Sequence, residues 1–102
     1  KKRNKAAMQT FLYAFFYNYK HPENQLPLKP GIINIKEIYS QDFSPYLQLD
    51  DSEVGDYREF AEEYEQGLRG LLEEIVNPSV PFDQTEDKKK CTYCAYKELC
   101  GR

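Results

Sequence analysis

Tryptophan is missing from this chain of 102 residues, and histidine and methionine occur once each. No apolar run approaches the ~20 residues that a membrane-spanning helix needs. No secretory hydrophobic segment follows the basic start. Gly-x-Ser-x-Gly, His-Glu-x-x-His, Walker-type and Gly-rich dinucleotide patterns do not occur, so the hydrolase, zincin and nucleotide-binding chemistries tied to them are excluded. Internal repeats and low-complexity segments are absent. A net charge of −3 removes any overall basic signature for nucleic acid.

Cysteine is scarce but concentrated. All three thiols fall in Cys91-Thr92-Tyr93-Cys94-Ala95-Tyr96-Lys97-Glu98-Leu99-Cys100, a C-x2-C-x5-C spacing. Without a secretory signal, clustered thiols point to a reducing, cytoplasmic setting and to metal or redox chemistry rather than disulfides. Three thiols are one ligand short of the four that a closed site requires. Only Gly101 and Arg102 follow Cys100, so the missing ligand is expected from upstream or from another chain. Zinc on four thiolates, zinc on three thiolates and an imidazole, and an Fe4S4 cluster all suit this set. His21, the one imidazole, sits far upstream at a proline turn.

Apolar residues make up 40% and charged residues 30%, and the length suffices for one small domain. From Ala6 to Tyr19, Met8, Phe11, Leu12, Phe15, Phe16 and Tyr19 recur at three- and four-residue steps, which predicts a helix ending before Pro22. Ile32 to Tyr39 is rich in β-branched residues and predicts a strand. Tyr46 to Leu49 predicts a short returning strand, and Asp50 to Glu53 a polar break. A second amphipathic helix is expected over about 56–76, with Tyr57, Phe60, Ala61, Tyr64, Leu68, Leu71, Leu72 and Ile75 on one face. Gly67 and Gly70 weaken it, or let another element approach closely. The expected fold class is α/β, as an α+β fragment with two long amphipathic helices around one or two strands. A sheet that small is marginal alone, which points to a piece of a larger domain.

Charge is uneven. Lys1, Lys2, Arg3 and Lys5 crowd the start; Lys88, Lys89 and Lys90 lead into the thiols, and Lys97 and Arg102 lie among and after them. Acidic residues concentrate between Asp50 and Glu74. Two solvated basic ends around an acidic helix account for this pattern; so does a pair of basic ends folded against phosphate. Gln9 and Tyr13, four residues apart, share one face of the first helix, roughly opposite Phe11 and Phe15.

Gln9-x-x-x-Tyr13 on an aromatic-rich helix resembles the Q-x-x-x-Y motif of RecB-type PD-(D/E)XK nucleases. The order that follows also resembles that family: a strand near Ile38-Tyr39, a long amphipathic helix, Pro81-Phe82-x-Gln84-Thr85, then C-x2-C-x5-C-Gly-Arg. The tail from Cys91 to Arg102 is similar to the closing segment of AddB-like helicase–nuclease subunits. The resemblance implies that residues 1–102 form the C-terminal segment of one nuclease domain of restriction-endonuclease-like fold, with 88–102 as its cluster-binding tail. It implies a DNA exonuclease or helicase–nuclease subunit of DNA repair and recombination, with Mg2+ in the parent protein. Cys91, Cys94 and Cys100 would supply three ligands of a structural Fe4S4 cluster, and Gln9 and Tyr13 would line the active site. Lys88, Lys89, Lys90, Lys97 and Arg102 would contact DNA. The implied partners are DNA, the rest of the nuclease domain and a helicase subunit, with no membrane.

The family's catalytic Asp and its D/E-x-K triplet lie upstream of the Q-x-x-x-Y helix, and neither precedes Gln9 here. Lys36-Glu37 and Lys97-Glu98 are not that triplet in place. No catalytic residue is therefore assigned within the chain, which is expected to be inactive alone. Two other readings fit the same residues: a small zinc-binding protein-interaction module, and a structural helical fragment with idle thiols.

Overall fold

The computed structural model describes residues 4–102, so the basic run Lys1-Lys2-Arg3 lies outside the described residues. The fold is a small α+β arrangement of two helices and a two-stranded sheet. It divides into two units, Lys1–Gly70 and Leu71–Arg102.

Helix α1 spans Lys5–Lys20. Asn4 caps it, its side-chain oxygen accepting from the Ala7 N–H at 3.2 Å. At the other end the His21 N–H donates to the Tyr17 carbonyl, and Pro22 prevents further helix. The apolar stripe does what its spacing predicts at Phe11, which is 6% exposed.

Ile32 to Tyr39 does not form the expected strand. Gly31 makes an isolated bridge to Tyr46, and Ile35–Glu37 coil into a short 3-10 turn capped by Asn34. Ile33 and Ile35 stay exposed, with no facing layer to reward extended pairing. The backbone that does pair lies earlier. Ile32 N–H donates to Pro45 O, and Leu47 N–H donates to Pro30 O.

Strand β1 (Gln48–Leu49) pairs antiparallel with β2 (Ser52–Glu53). Asp50 and Asp51 form the turn between them, with φ of 49° and 65°. Positive φ at both central residues is the type I′ condition, which matches strand twist and which Asp tolerates. The expected polar break is thus a turn plus the second strand.

The second helix starts later than its periodicity implied. Asp56 caps a 3-10 turn over Tyr57–Glu59, and helix α2 then spans Ala61–Val76. Arg58 fixes this junction. Its guanidinium bonds both Asp56 carboxylate oxygens and reaches the carbonyls of Asn24, Gln25 and Leu26. Asp56 also accepts from the Leu28 N–H at 3.1 Å. Desolvation opposes the Asp56 charge, but the hydrogen bonds from Arg58 and Leu28 outweigh it and hold the carboxyl below its usual range.

The core of the first unit is small and aromatic. Phe11, Val54 and Tyr57 are buried, with Phe15, Leu28, Leu47, Phe60 and Tyr64 packed around them. Phe11 meets Phe60 edge-on at 6.3 Å and lies 5.5 Å from Tyr64. The Tyr64 hydroxyl donates to the Met8 carbonyl at 3.0 Å, tying the start of α2 to α1.

In the second unit no described residue is buried; Phe82, Tyr93 and Leu99 are almost fully exposed. Local turns and side-chain hydrogen bonds give this unit its shape.

Candidate functional site

On α1, Gln9 Nε2 donates to the Tyr13 hydroxyl at 2.7 Å. The i, i+4 spacing makes this bond possible. Phe11 anchors the opposite side of the helix in the core, which leaves the pair presented to solvent, Tyr13 being 61% exposed. The face expected from sequence therefore exists, and its two polar groups are already joined.

The tail is a series of turns. Asp87 caps a 3-10 turn over Lys88–Cys91 by accepting from the Lys89 N–H. Cys94 N–H then donates to Cys91 O, Lys97 N–H to Cys94 O, and Cys100 N–H to Tyr96 O. The last turn closes with Gly101 N–H bonded to Glu98 O and Arg102 N–H bonded to Lys97 O. Gly101 sits at φ +68°. Two such bonds around a left-handed glycine form a Schellman closure, and this geometry explains why glycine precedes Arg102.

That closure turns Arg102 back on the segment before the thiols. Its Nε donates to Gln84 Oε1 at 2.9 Å, and a terminal nitrogen donates to Thr85 O at 2.9 Å. Gln84 in turn donates to Cys100 O at 3.0 Å. In the sequence Gln84, Thr85 and Gly101-Arg102 stand as separate segments with nothing to link them; a glycine directly before a cation is the local signal of the closure.

Lys88, Cys91, Thr92, Lys97, Gly101 and Arg102 line an open hollow of about 300 Å3. Of the five basic residues expected to act together, three line this hollow, and Lys89 and Lys90 do not. Cys91 is half-buried; Cys94 and Cys100 are exposed.

Among the described residues no three His, Cys, Asp or Glu side chains are gathered to hold a metal ion. In the first unit, His21 pairs with Glu23 at 3.2 Å. In the first unit the buried Tyr57 hydroxyl has no hydrogen-bond partner. No helix among the described residues is long and apolar enough to cross a membrane.

Comparison with curated proteins and with solved structures gave no match. The PD-(D/E)XK nuclease superfamily model, in contrast, matches residues 1–101. Its match takes in both the solvent-facing Gln9–Tyr13 pair and the thiol-bearing tail, and the chain belongs to the PD-(D/E)XK nuclease superfamily.

Proposed function

We propose that this chain is the C-terminal portion of a RecB/AddB-like nuclease domain that acts on DNA in repair and recombination. The observation that carries the reading is the hydrogen-bonded Gln9–Tyr13 pair on the free face of α1, in a chain matched along its length by a nuclease family. Gln9 and Tyr13 would line the cleft and orient DNA or active-site groups. Mg2+, held by carboxylates elsewhere in the domain, would supply an activated water and screen phosphate charge. In this reading the chain alone lacks the catalytic carboxylates and does not cut DNA. A helicase subunit and a cytoplasmic location belong to the same proposal.

Cys91, Cys94 and Cys100 would supply three thiolates of a structural Fe4S4 cluster. A cuboidal cluster holds its thiolates farther apart than a single ion does, and metal binding is coupled to the folding of such tails. Basic residues around the thiols would contact the DNA backbone.

The test is direct. The purified chain, incubated with linear DNA and Mg2+, should give no cleavage above background. Robust activity that survives replacement of all three cysteines by serine would overturn the proposal. In the longer protein, iron with acid-labile sulfide supports the cluster. Stoichiometric zinc in its place would favour a zinc-binding interaction module.

A further inference from the structure

We propose that Lys88, Lys97 and Arg102 form one subsite for a backbone phosphate of duplex DNA, and that Gln84 and Thr85 hold Arg102 in it. The inference rests on the DNA-nuclease reading and narrows it, because of the five cations around the thiols these three line the same hollow.

Two features distinguish this trio from a solvated basic run. First, the ion pairs among the described residues are His21–Glu23 and Arg58–Asp56, so none of the three cations is neutralised by a carboxylate. Asp87 and Glu98, the acidic residues next to Lys88 and Lys97 in sequence, form no ion pair with them, and Asp87 accepts from the Lys89 N–H. Second, Arg102 is preorganised. Gln84 takes its Nε, Thr85 takes one terminal nitrogen, and the Gly101 closure fixes its backbone. A guanidinium held by neutral partners keeps its full charge and its remaining donors for a phosphate oxygen, with little side-chain entropy left to lose. Lys88 and Lys97 add point charge, and Thr92 lines the same hollow.

The position of the charge therefore matters as well as its amount. Fluorescence anisotropy with a labelled DNA duplex, in EDTA and thiol reductant, reads binding without cleavage. Lys88→Ala and Lys97→Ala should each weaken binding about five- to tenfold and lower the salt slope by about one. Lys89→Ala and Lys90→Ala should stay within about twofold. Arg102→Lys keeps the charge but loses the fork, and Gln84→Leu removes no charge at all. Both should weaken binding about threefold or more. Circular dichroism checks that each variant keeps its helices.

Equal losses at all the lysines would overturn the subsite. So would unchanged affinity in Arg102→Lys and Gln84→Leu, or no duplex binding by the unsubstituted chain. A longer protein that never cuts DNA would sink the nuclease reading and leave a positive binding result standing.

Discussion

Tyr57 is the residue on which the first unit turns. It is fully buried, its ring lies 5.8 Å from Phe11, and its N–H donates to the Leu28 carbonyl. Its hydroxyl gains nothing from that position, since it is buried without a partner. Leaving such a group unsatisfied costs about 1–3 kcal/mol. Tyr57→Phe keeps the ring and removes the cost, so stability at neutral pH should rise by about 1 kcal/mol. Urea denaturation followed by circular dichroism measures this; a destabilised variant would mean that the hydroxyl has a partner. The same site sets an alkaline limit. Burial, then the charges of Glu65 and Tyr64, push the hydroxyl up to about 12. A phenol in the unfolded chain ionises at about 10. Because the folded value is the higher, this contribution is complete below pH about 10 and is lost as pH climbs towards the folded value. Tyr57→Phe should flatten that part of the alkaline decline.

At the scale of elements, two glycines make opposite predictions. A Cβ on Gly31 would lie 2.6 Å from the Pro45 carbonyl oxygen, at the bridge that joins the 30–32 backbone to 45–47. Gly31→Ala must push those segments apart and should cost about 1–3 kcal/mol. Gly67 lies within α2 with nothing within 4 Å of its added Cβ. Gly67→Ala should therefore raise helix stability by about 0.5–1 kcal/mol. Paired melting curves test both; if neither shifts, the pairing around Gly31 is not formed in solution. The same elements show what the sequence could reveal. Helix α1 was legible because its stripe and Pro22 agree, while its Asn4 cap went unread. The Gln9–Tyr13 face followed from spacing alone. The strand over 32–39 was misread because β-branched content reports suitability for a sheet, not the presence of a neighbour. The start of α2 slipped because an Asp56 cap and a 3-10 turn precede the regular helix without breaking its periodicity. The Arg102–Gln84 link joins residues 18 apart through a backbone reversal, which no periodicity encodes.

For the whole molecule, the two units differ in what holds them. The first has a buried aromatic core, while the second has no buried residue and depends on turns. Local opening free energy follows buried contact, so the two should exchange amide hydrogens very differently. In the reduced, metal-free chain, the amides of Phe11, Val54, Tyr57 and Tyr64 should be among the most protected. Amides from Lys88 to Arg102, held by turns and the Gln84–Arg102 contacts and by no buried side chain, should exchange much faster than these. If the thiols hold a cluster, its binding energy enters the folding of the tail by mass action. Anaerobic reconstitution of the longer protein with iron and sulfide should then slow exchange across 88–102 and leave the first unit unchanged. Hydrogen exchange read by mass spectrometry separates the outcomes. A tail as well protected without metal as the aromatic core would show that its turns and the Gln84–Arg102 contacts suffice, and the three thiols would then need no cluster to account for the fold.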